Sequence, residues 1–154
     1  MKINRVRAQA GQTLIEILIV TVVVATVLTA IAGSLSMSAK NTSENKKLSM
    51  STTYAQEALE VFRREKYALG WESFQLALVD GIYCLDTIPA DSAEFFSLAI
   101  GACGASETIP GTNFLREATL TSAVDEVRVV IVVKWTDAET NKESTAEQTF
   151  KEIN

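Results

Sequence analysis

Between Glu16 and Lys40 the chain carries no charge: residues 17–39 form a run of 23 residues, ILIVTVVVATVLTAIAGSLSMSA. As a helix rising about 1.5 Å per residue, such a run crosses about 30 Å of hydrocarbon. One acid, Glu16, stands at its cytoplasmic-type end, behind a short basic leader, MKINRVRAQAG. A carboxylate in a span costs about 2.5–3.5 kcal/mol on insertion scales, so its presence calls for a function and a partner. The leader holds Lys2, Arg5 and Arg7 and no acid. The positive-inside rule therefore keeps it on the cytoplasmic side and sends the rest of the chain outward.

The order of basic leader, Gly11, Gln12-Thr13-Leu14-Ile15-Glu16 and apolar run resembles the type IV pilin signal, which marks pilins and the pseudopilins of type II secretion. The resemblance implies that a membrane prepilin peptidase cuts between Gly11 and Gln12 and methylates the new amino terminus at Gln12. It also makes Glu16 the fifth residue of the mature chain. The carboxylate then pairs with the α-amine of Gln12 on a neighbouring subunit inside a filament core, where an opposite charge stabilises it. The family usually has Phe or Met where this chain has Gln12. In pseudopilins the tip subunit tends to lack the acid, so Glu16 favours a place below the tip. Two plainer readings stay open. Ala30-Ile31-Ala32 before Gly33 is an A-x-A-like site of a secretory signal, and the run also serves as a simple signal anchor.

The apolar pattern continues beyond the span. No proline precedes Pro89, and Gly33 is the one glycine between Gly11 and Gly70. Leu48, Ala55, Leu59, Phe62 and Leu69 recur at helical spacing, widened by Tyr54, Ala58 and Val61. Lys47, Gln56, Glu57, Glu60, Arg63 and Arg64 occupy the other face, with Glu60 and Arg64 four apart. This predicts one helix over residues 13–69, closed by Gly70, apolar all round at first and amphipathic later. Residues 34–53, rich in Ser, Thr, Asn and Lys, are its weak middle, with Gly33 either a hinge or a passive weak helix former. The segment TYAQEALEVFRREKYALGWESF resembles the post-span helix of short minor pilins and pilus-modification-type subunits. Arg63, Arg64 and Lys66 alternate with Glu60, Glu65 and Glu72, which predicts pairing among themselves rather than a basic patch.

Residues 71–111 read as loops with one strand, residues 81–85. Cys84 and Cys103 are the two cysteines. An exported chain meets an oxidising space, so a disulfide is expected; closing 18 intervening residues stabilises by about 3 kcal/mol in the chain-entropy model. Residues 114–121, 126–135 and 144–150 read as an antiparallel meander, with Val127, Val129, Ile131, Val133 and Trp135 on the face that covers the helix. The loop Asp137-Ala138-Glu139-Thr140-Asn141 reads as a solvated turn, because it lacks the glycine and glutamate spacing of a calcium loop.

Several functions are set aside by composition. The chain has no His, which removes His-based triads and metal sites, and no catalytic residue, metal or cofactor is expected. With the leader gone, 11 basic side chains face 19 acidic ones, against general nucleic-acid binding. The expected chain is thus an α+β pilin fold: leader 1–11, membrane and filament-core helix 12–39, and extracytoplasmic head 40–154, with the long helix on an antiparallel sheet of three to four strands. Its expected partners are other pilin subunits, prepilin peptidase, the inner-membrane assembly platform and, before assembly, membrane lipid. Its expected place is the inner membrane, then a surface or periplasmic filament. The alternative is a single-pass anchored binding module or adhesin outside any filament.

Overall fold

The structure, a computed structural model, describes residues 6–137 and 140–152, with side chains from Leu14 onward. The chain falls into two units, Met1–Asn45 and Lys46–Asn154. Helix α1, Val6–Leu69, is 64 residues long. It starts seven residues before the expected position because Val6-Arg7-Ala8-Gln9-Ala10 are mostly good helix formers and Gly11 is tolerated inside a long helix. Gly33 is helical as well, with open space about it. Gly70 ends α1 as expected: its φ of 76° lies in the left-handed region that glycine enters freely, and its N–H donates to the Lys66 carbonyl at 3.1 Å.

Residues 71–80 and 90–98 depart from the loop-like reading. Helix α2 spans Trp71–Ala77 and α3 spans Ser92–Phe96. Each is held by one buried aromatic, Phe74 and Phe95 respectively, and the two rings stack with centroids 6.5 Å apart. Helix α3 also carries an N-cap signal. The Asp91 carboxylate accepts the Glu94 N–H at 2.9 Å, and the Glu94 carboxylate accepts the Ala90 N–H at 2.8 Å. This is close to a capping box.

The sheet is a four-stranded antiparallel meander, β1 (Gly81–Cys84), β2 (Phe114–Ser122), β3 (Glu126–Asp137) and β4 (Thr140–Lys151), in that spatial order. The strands run longer than their apolar cores predict, because the polar ends pair across the ladder, as Thr136 does with Asn141. On β3 the expected face is buried throughout: Val127, Val129, Ile131, Val133 and Trp135 join Ala55, Ala58, Leu59, Val61 and Phe62 of α1 in one core. Alternation at period two thus lays the sheet on the second half of α1. Leu48 is the exception to the helix stripe. It is 50% exposed, while Ser51, one turn on, is fully buried.

Ion pairs fasten the same faces. Lys47 donates to Asp137 at 2.7 Å, and Lys142 lies 3.7 Å from the same carboxylate. The hydrogen bond from Lys47 is the main reason the Asp137 carboxyl titrates below the usual carboxylate range, with partial desolvation opposing it. Asp137 therefore anchors the head rather than being simply solvated, and Ala138 and Glu139 of its loop lie outside the described residues. The Glu60 pairing is with Arg63, not Arg64. Arg64 instead bonds Glu65 at 2.8 Å and the Pro89 carbonyl at 2.8 Å.

Candidate functional site

The unit that the head does not explain is the first half of α1. From Leu14 to Ile31 every Leu, Ile and Val side chain is between 50% and 71% exposed, all round the helix, and its most apolar window is entirely unburied. Among the described residues this is one helix long and apolar enough to cross a membrane. Removing those twelve side chains from water is worth on the order of 20–30 kcal/mol, against about 3 kcal/mol for inserting one carboxylate. Glu16 therefore does not prevent the helix from entering lipid.

The polar groups of this half are adapted to such a medium. Thr21, Thr26 and Thr29 hydroxyls donate to the carbonyls of Leu18, Val23 and Ala25 at 2.9, 2.8 and 3.1 Å, and Ser34 donates to Ala30 at 3.1 Å. A hydroxyl bonded inside its own helix needs no water and no other partner in hydrocarbon. Glu16 is different. It is exposed and forms no hydrogen bond or ion pair among the described residues, so the helix leaves one carboxylate to be satisfied from outside. Gly11 and Gln12 lie in α1 by their backbone; their side chains are outside the described set. Four positions separate Gln12 from Glu16, about one helical turn.

The head places the other expected pair. Cys84 and Cys103 are joined, with Sγ–Sγ 2.04 Å and Cα–Cα 4.7 Å. The bridge fixes the long connection between β1 and β2 against the outer face of the sheet, where Glu117 receives it. Its carboxylate accepts the Cys103 N–H at 3.1 Å and Lys134 Nζ at 2.5 Å. Alkylating unreduced, denatured protein is expected to add no mass, and two alkyl groups would contradict the bridge.

Besides Glu117, two buried charged side chains escaped the sequence reading. Arg116 is 1% exposed and donates to the Leu85 carbonyl at 2.8 Å, the Tyr54 carbonyl at 3.2 Å and Glu57 at 2.9 Å. Burial lowers its pKa, and Glu57 opposes that. The signal was present, since Phe114, Ala118 and Leu120 alternate with it on the inward face of β2. Glu65 is likewise buried and accepts from Arg64 at 2.8 Å and Ser92 at 2.5 Å; its place among Phe62 and Leu69 on the helix stripe was the clue. Both are scaffold: Arg116 ties β2 to α1 and to Leu85, and Glu65 ties α1 to α3; no three metal-ligating side chains gather among the described residues. No protein-family model matches the chain, and no curated protein or solved structure matches it either.

Proposed function

We propose that the chain is a non-enzymatic subunit of a type IV pilus-like filament, a minor pilin or pseudopilin, stored in the membrane through residues 12–39 and assembled by bundling that helix with those of its neighbours. The observation that carries this reading is the exposed apolar half of α1 with one carboxylate, Glu16, that has no partner among the described residues, five residues beyond Gly11. A plain anchor needs the apolar residues but not the acid, and the acid opposes insertion. A filament core gives both a place: apolar faces close on one another, and Glu16 meets the amino terminus of the next subunit. Prepilin peptidase, the inner-membrane assembly platform and lipid are the partners this route requires. The head then faces the periplasm or the cell exterior, fastened to the helix by its own core.

Intact-mass measurement of the membrane fraction tests the first step. A mature chain beginning at Gln12 is expected, with methylation visible in the same spectrum. A chain beginning at Met1, Gly33 or Ser34 overturns the reading in favour of an anchor or a secreted head.

A further inference from the structure

The end of the head at which α1 stops carries apolar side chains that its core does not use. Leu76 of α2 and Val124 of the β2–β3 turn are each 87% exposed, and Val79 is 57% exposed. They belong to one place. Gln75 Nε2 donates to the carbonyls of Ala123 and Val124 at 2.8 and 3.2 Å, tying α2 to the turn. The Val79 carbonyl accepts the Tyr83 hydroxyl at 2.8 Å, tying the end of α2 to β1. The acids about these residues are Glu72, one helical turn before Leu76, Asp80, which accepts the Ser122 N–H at 2.7 Å, and Asp125. None of the three forms an ion pair among the described residues. Glu126 at the start of β3 is paired with Lys151, so Glu72, Asp80 and Asp125 leave the patch apolar with a net acidic rim, which repels an anionic lipid surface and suits an apolar surface that carries a cation.

The chain has such a surface at the other end of the same sheet. β3 runs 12 residues from the β2–β3 turn to Asp137, about 40 Å at strand rise, and there Asp137 meets Lys47. Beside Lys47 stand Lys46, exposed and without an ion pair among the described residues, and Leu48, the stripe residue that the core leaves 50% exposed. Lys47 is held by Asp137, so Lys46 is the cation this stretch offers beside Leu48.

We infer that the patch of Leu76, Val79 and Val124 on one copy docks on the Lys46–Leu48 stretch of a second copy. The two surfaces differ, so the contact is heterologous and leaves one of each free to bind again, which builds a line rather than a closed dimer. The inference rests on the filament reading and adds the head-to-head contact within it.

The test is a photo-cross-linking amino acid in place of Val124 in the full chain, irradiated in whole cells, with Leu76 as a second probe position. The expected product has twice the chain mass and joins the probe to residues 41–52 of the other copy. Lys46→Glu should lower its yield roughly tenfold by setting acid against acid, and Asp125→Lys in the same chain should restore it. A product with another protein, a join elsewhere in the chain, or no product from either probe overturns the contact. Resistance of Cys84 and Cys103 to alkylation shows that each variant is folded. Presence of the chain in sheared filaments is scored separately, so loss of the filament reading is distinguished from loss of this contact.

Discussion

Glu16→Gln is expected to leave the protein in the membrane and cleaved, while its share in sheared filaments falls by about 100-fold or more. The neutral amide is cheaper to insert than the carboxylate, so the membrane step does not suffer. In the proposed filament the neighbour's Gln12 amine would lose its opposite charge in an apolar core, and removing one member of a buried pair costs about 3–5 kcal/mol. Each 1.4 kcal/mol is tenfold in the assembly equilibrium. The apolar faces themselves are unchanged, so any defect belongs to the charge. The readout is the ratio of filament to membrane protein, with cleavage checked in both chains. An unchanged ratio means that Glu16 serves only peptidase recognition, or nothing, and favours the anchored-module reading.

The second large effect lies in the head. Arg116→Ala is expected to cost about 3–5 kcal/mol, because it strands the Leu85 carbonyl and opens a cavity among core residues. At about 4–8 °C per kcal/mol for a small domain, the melting point of the detergent-solubilised chain falls by about 12 °C or more. Glu57→Gln is expected to cost about 1 kcal/mol or less, since Glu57 is 53% exposed and its half of the pair is screened by water. That asymmetry identifies the backbone carbonyls, and not the ion pair, as what Arg116 is there to satisfy. Equal losses in the two variants would contradict it. Arg116→Met, which keeps most of the volume without the donors, should fall between them.

These residues also show what could be read before the structure. The long helix was legible because no proline interrupts it, Gly33 is the one glycine between Gly11 and Gly70, and Gly70 follows it. The inward face of β3 was legible because five apolar residues alternate without a break. Helices α2 and α3 were not, since at seven and five residues they are too short to show a helical period, and each depends on one aromatic finding the core. Arg116 and Glu65 were hidden by their charge: residue type placed them outside, whereas their positions on the β2 and α1 patterns placed them inside. Leu48 shows the reverse, an apolar residue in step with the stripe that the sheet does not reach. In the membrane half, the spacing from Gly11 to Glu16 was plain in the sequence, and the structure adds that Glu16 lacks a partner among the described residues. On the proposed filament reading its partner is an amine of another chain, which no single fold can supply.

Whether the exposed half of α1 is a filament-assembly surface is decided by the whereabouts of the unmodified protein. Filaments sheared from cells, and the membranes left behind, are probed for this chain in the presence and absence of the assembly ATPase. Mature protein starting at Gln12 is expected in the sheared fraction, lost from it when the ATPase is removed, with the membrane pool retained. Protein confined to the membrane in both strains would contradict it.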